Sequence, residues 1–226
     1  MDPKLLGLTG ALGTAAAGGG VYWSMQSSKQ PISNLLSSEK ALLLITDYSD
    51  SKWSDAWKKY KSSNGEGNKW GIRDWLTKKD SNEAPTEFKE ECKKRAESKV
   101  SGKSDQEYQD IKDWCTRPKK ISELLSFEGK KVLLSQTGDS EEWGKMWTSY
   151  KKHHENGTQA GNSGTTYKTP DELGVSDWTN KAKESSIPNE YKTACQTKAE
   201  SHIDISKITE DPNFQKVEKW CTRDKQ

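Results

Sequence analysis

The chain repeats its own pattern, and no other sequence feature limits its fold as much. The stretch from Ile32 to Arg117 recurs, with insertions, from Ile121 to Arg223. Ile32, Leu35 and Leu36 return as Ile121, Leu124 and Leu125; Trp53, Trp57 and Tyr60 return as Trp143, Trp147 and Tyr150. Asp74-Trp75 returns as Asp177-Trp178, and Pro85, Phe88, Cys92, Ala96, Glu97 and Ser98 return as Pro188, Tyr191, Cys195, Ala199, Glu200 and Ser201. Both copies close on Trp-Cys-Thr-Arg, Trp114–Arg117 and Trp220–Arg223. The shared positions are large apolar residues and cysteines, so the repeat reports a scaffold rather than a site. The expected organisation is an N-terminal segment over 1–30 followed by repeat units over 31–118 and 119–226.

Units of that length fold alone but with modest cores. Leu, Ile, Val and Phe make up less than a fifth of the chain, whereas Trp occurs 10 times. Large rings bury much area per residue, which points to small tryptophan-cored domains with a very polar surface. Lys and Arg total 36 against 34 Asp and Glu, for a net charge of +2, and the signs alternate along most segments. A phosphate-binding face needs clustered basic residues, so the expectation is no nucleic-acid partner.

From Leu5 to Ser28 the chain carries no charge. That length suffices to span a bilayer, although the glycines keep it only mildly hydrophobic. Lys4, the Leu5–Leu12 run and the small residues Ala15–Gly18 also fit a cleaved secretory signal. Either reading sends the repeats across a membrane. The expected location is the cell membrane with the repeats outside, or secretion after cleavage.

Each unit opens with Ile-Ser-x-Leu-Leu, whose i, i+3, i+4 spacing suits a short helix. The apolar runs that follow, Ala41–Ile45 and Val132–Leu134, are too short to assign. Asp139 with Glu142 has the form of a capping box, with Asp50-Ser51 in the equivalent place. Behind it Trp53, Trp57 and Tyr60, like Trp143, Trp147 and Tyr150, put three rings on one helical face. Polar loops over Ser62–Asn68 and Asn156–Thr169 end these helices. Pro85 and Pro188 mark the first turn of a further helix, and Tyr108, Ile111, Trp114 and Cys115 match Phe214, Val217, Trp220 and Cys221 along the last. The fold class expected is mainly α: two tandem disulfide-closed helical domains behind an N-terminal apolar helix.

There are four cysteines, two per unit at matching places. Pairing Cys92 with Cys115 and Cys195 with Cys221 is the simplest of three connectivities. Each bridge would stabilise by about 3 kcal/mol in the chain-entropy model and requires an oxidising compartment. No C-x2-C spacing supports a zinc site.

Candidates for chemistry are few. His153-His154-Glu155 is the one histidine cluster, and it falls in the variable loop of the second copy, where an exposed polar segment is expected rather than a metal site. No nucleophile elbow, phosphate loop or dinucleotide fingerprint occurs, so the expectation is no enzyme, no cofactor and no catalytic residue. Eight of the nine tryptophans in the repeats match between copies and are expected in the core. Trp70 follows a Gly/Asn loop with no match found in the second copy, and is the candidate exposed contact.

The glycine- and alanine-rich N-terminal segment, Ile-Ser-x-Leu-Leu-Ser, Trp-x3-Trp-x2-Tyr, the mid-unit Cys and the closing Trp-Cys-Thr resemble the large paralogous families of uncharacterised proteins in haemotropic mycoplasmas, wall-less bacteria that live on red blood cells. The resemblance covers nearly the whole chain and carries no catalytic residue. It implies a surface-exposed protein with a role in host contact or antigenic variation. Together with the N-terminal span, the expectation is a non-enzymatic protein, membrane-anchored or secreted, whose repeats contact a host or envelope protein or present variable loops. Carrying the unit twice departs from the commoner single-unit layout. A ligand-binding module with an aromatic pocket between helices is the alternative.

Overall fold

The computed structural model describes residues 29–157 and 164–225. The uncharged segment from Leu5 to Ser28 lies outside them, as do positions 158–163 of the second loop. Among the described residues no helix is long and apolar enough to cross a membrane.

The chain is mainly helical, with short two-stranded antiparallel pairings between the ends of the helical segments. The first half runs β1 (Gln30–Pro31), α1 (Ile32–Ser37), β2 (Leu42–Leu44), α2 (Trp53–Asn64), α3 (Trp75–Lys78), α4 (Thr86–Ala96), β3 (Lys99–Val100), α5 (Gln106–Trp114) and β4 (Thr116–Pro118). The second runs α6 (Ile121–Glu128), β5 (Lys131–Leu133), α7 (Ser140–His153), α8 (Trp178–Lys181), α9 (Asn189–Ala199), α10 (Pro212–Trp220) and β6 (Thr222–Asp224). The apolar runs that sequence left open are extended: β2 pairs with β4 and β5 with β6. The pairings continue with Ile45 N–H donating to Cys115 C=O and Leu134 N–H to Cys221 C=O, both at 2.9 Å.

Helix starts depart from expectation. Asp139 makes no cap, because it sits in the left-handed region at φ 53° and its carboxylate turns back to accept from Ser135 N–H and Arg223. Pro85 and Pro188 precede the first turns of α4 and α9 instead of lying in them. Ser62, Ser63 and Asn64 belong to the last turn of α2, so the first loop begins at Gly65. Asp74 and Asp177, at φ 56° and 53°, explain the repeated Asp-Trp pair: this backbone conformation tolerates Asp, and it aims the following tryptophan inward.

Two separate cores result. One gathers Trp53, Trp57, Tyr60, Trp75, Phe88 and Trp114 with their aliphatic neighbours, the other Trp143, Trp147, Tyr150, Trp178, Tyr191 and Trp220. The rings meet stacked, as for Trp57 on Tyr60 (5.6 Å, 11°), or tilted and edge-on, as for Tyr60 on Trp114 (5.2 Å, 90°) and Tyr150 on Trp220 (5.1 Å, 87°). Such contacts add about 0.5–1.5 kcal/mol each beyond area burial. They offset the shortage of aliphatic residues.

Candidate functional site

Each core is closed by a disulfide between its last two long helices. Cys92 on α4 is bonded to Cys115 at the end of α5, and Cys195 on α9 to Cys221 at the end of α10. Both pairs have Cα atoms 5.6 Å apart, and all four residues are buried. The within-unit pairing is therefore present in the structure.

A second shared device holds the loop that leads into α3 or α8. In the first half Tyr60 Oη lies 3.2 Å from Asn68 Oδ1 and accepts from Trp70 N–H at 3.0 Å, while Asn68 Oδ1 accepts from Ile72 N–H at 2.7 Å. In the second half Tyr150 donates to Asp171 and accepts from Leu173 N–H at 2.9 Å; Asp171 also accepts from the N–H groups of Leu173, Gly174 and Val175. Burial, reinforced by the Asp171 carboxylate, pushes the Tyr150 hydroxyl well above its ordinary pKa.

This arrangement corrects the reading of Trp70. It is not an exposed contact: it is 7% exposed and packs on Tyr60, Phe88 and Trp114, with the Arg95 guanidinium 5.1 Å over its ring. Nor does it lack a match, since Leu173 holds the same place. Trp70 and Leu173 each donate to the core tyrosine hydroxyl, and each precedes a glycine of positive φ, Gly71 at 65° and Gly174 at 74°. The missed signal was the register counted back from Asp-Trp: Trp-Gly-Ile-Arg-Asp-Trp against Leu-Gly-Val-Ser-Asp-Trp.

The histidine pair is also placed differently from the expected exposed loop. His153 ends α7, and His154 is 3% exposed against Tyr150 and Trp178. With Glu172 the two histidines form a cluster of ligating atoms within 4.8 Å of one another. His154 is nevertheless spoken for. Its Nε2 accepts from Glu172 N–H at 3.1 Å, which leaves Nδ1 as the protonated nitrogen donating to Tyr150 C=O at 2.9 Å. Neither ring nitrogen keeps a lone pair for a metal. Glu172 itself takes Trp220 Nε1–H at 2.5 Å and His153 Nε2 at 2.9 Å; burial works to raise its pKa, but these partners outweigh it and hold the carboxyl below its ordinary value.

The repeated Trp-Cys-Thr-Arg gives its arginine two different jobs. Arg117, 8% exposed, donates to Asp50 at 2.6 Å and by both terminal nitrogens to Glu123 at 2.7 and 2.8 Å, tying the end of the first half to α6. Burial would raise the pKa of Glu123, but Arg117 and the Lys120 N–H hold it down. Lys119 N–H donates to Ala41 C=O while Lys119 C=O accepts from Ile203 N–H, so one residue bonds to both halves. Among the described residues Arg223 reaches Asp139, at 3.2 Å, and its own neighbour's carbonyl.

Open hollows lie on the surface of each half. One sits between the 171–176 loop and α9, with Leu173 and Ala194 at its base and Lys198 on its rim. No protein-family model matches the chain, and neither a curated protein nor a solved structure matches it.

Proposed function

We propose that this is a non-enzymatic surface protein: two tandem copies of one disulfide-closed helical unit, 31–118 and 119–226, presented outside a membrane by the segment Leu5–Met25. The observation that carries the reading is the pair of buried within-unit disulfides, Cys92–Cys115 and Cys195–Cys221. Bridges of that kind persist in oxidising surroundings, and the uncharged N-terminal span in the sequence supplies a route there. Length variation supports it further: after α2 the chain reaches Trp75 quickly, whereas after α7 it makes a detour in which Asn156 N–H and Lys168 N–H bond across to Thr166 and His154 carbonyls. A fixed core with a variable polar loop suits changing contacts or antigenicity, with a host or envelope protein as the partner class.

Protease treatment of intact cells, followed by detection of both repeats, tests this reading. Cleavage before permeabilisation is the expected result. Repeats that stay protected until the membrane is opened would sink it.

A further inference from the structure

The two halves differ most sharply over one patch of core. In the first half the Trp70 indole is lidded by Arg95, whose Nε donates to Glu91 at 2.9 Å. All three side chains are replaced in the second half. Leu173 stands for Trp70 by its bond to the core tyrosine, Ala194 for Glu91 one residue before the disulfide cysteine, and Lys198 for Arg95 three residues after it. The loss of an indole, a carboxylate and a guanidinium leaves an open hollow of about 530 Å³. Its floor is apolar and closed, with Leu173 3% and Ala194 8% exposed.

We propose that this hollow binds a small planar aromatic carboxylate, its ring lying on Leu173 and Ala194, the counterparts of Trp70 and Glu91, and its acid group on Lys198. The ring follows from the internal precedent: in the first half Arg95 of α4 covers the indole that the matching loop carries, Trp70. The charge follows from the rim. Glu190 is occupied by Lys181 at 3.1 Å, whereas Lys198 has no carboxylate partner among the described residues, only Asn213 Oδ1 at 3.4 Å. Burial, with the charge of Lys216 nearby, pulls the Lys198 ammonium below its ordinary pKa, and the Asp171 carboxylate only partly opposes this. A small molecule suits the hollow, because Ser176, Asn189, Thr193 and Thr197 ring its apolar floor with polar groups. This site does not depend on which side of a membrane the repeats occupy.

The test uses the oxidised full chain, isotope-labelled, with indole-3-acetate as probe and 3-methylindole as its neutral analogue. A Kd on the order of 1 mM or tighter is expected, the scale for a ligand of about a dozen heavy atoms. Amide shift changes should fall on residues 173–176 and 190–198. Leu173→Trp with Ala194→Glu, which copies the first half, should abolish them. Lys198→Met should weaken the acid about fivefold and leave the neutral analogue unchanged, as for one partly exposed charge pair. Should the double variant not fold, Thr197→Trp at the rim provides the same blockade. No shift changes at 5 mM probe (about five times that Kd), changes elsewhere, or binding that survives blockade would each overturn the proposal.

Discussion

Replacing Cys92 and Cys115 together by Ala separates the contribution of a bridge from that of its packing. The bonded residues are 23 positions apart in the first half and 26 in the second. For loops of that length the chain-entropy relation gives about 3.5 kcal/mol of stabilisation per bridge at 25 °C. A unit of about 90 residues has on the order of 5–10 kcal/mol in all, so one bridge carries a third or more of it. On the same scale the melting temperature of the affected half should fall by roughly 15–25 °C. All four cysteines are buried, so the Ala pair also opens a small cavity; reduction of the unmutated chain removes the bond while leaving the sulfur atoms to fill the space. Hydrogen exchange read by mass spectrometry resolves the halves: peptides of α5 should lose protection while those of α10 keep most of theirs. The reasoning fails if reduction lowers stability by less than about 1 kcal/mol, far below the chain-entropy figure. It fails equally if α10 opens in step with α5, because the two cores would then be one cooperative unit.

Arg117→Gln leaves Asp50 and Glu123 without their shared cation and should cost about 3 kcal/mol in urea unfolding, whereas Arg223→Gln, with one half-exposed partner, should cost less than about 1 kcal/mol; equal losses would refute the different roles assigned to them. For Glu39, burial favours the neutral acid, but Lys103 and Tyr108 donating to it, with the charge of Lys112, bring its pKa down to about 2. A depressed carboxyl stabilises the fold above its unfolded pKa and loses that contribution as pH falls from about 4.5 to about 2. Glu39→Gln should therefore lower stability at pH 7 by about 2 kcal/mol and flatten the acid limb in that window; an unchanged limb would refute the assignment.

Most of the scaffold was legible because the strongest signals are periodic and doubled. Trp53, Trp57 and Tyr60 at helical spacing gave α2 and its inward face, and the matched cysteines gave the bridges. What sequence missed depends on backbone conformation and on long-range partners. Asp139 has the letters of a cap, yet a left-handed turn and Arg223 claim its carboxylate. The β2–β4 and β5–β6 pairings join segments remote in sequence, which no local period reveals. Trp70 was misplaced because its neighbours are Gly and Asn, residues read as loop. The loop is real, but a tyrosine hydroxyl and an Asn side chain fold it over the core. His154 reads as loop for the same reason, yet it caps the C-terminal end of α7, which carries it inward.

The positions at which the halves differ limit what the chain can do. Arg117 is held by Glu123 on α6, but the equivalent site on α1 is Asn34, and Ser38 replaces Phe127, the ring on which Lys119 rests at 3.7 Å. The acid and the ring that secure the internal junction are thus features of α6 that α1 does not carry. The same selective loss occurs at the rim above the second core, where Trp70, Glu91 and Arg95 give way to Leu173, Ala194 and Lys198 while the tyrosine, the glycine turn and the bridge beneath are kept. These substitutions keep the bond from the loop to the core tyrosine and the disulfide while changing both a buried ring and the groups at the rim. The second half therefore offers a different surface at that rim while Tyr150, the turn at Gly174 and the Cys195–Cys221 bridge hold the backbone beneath it.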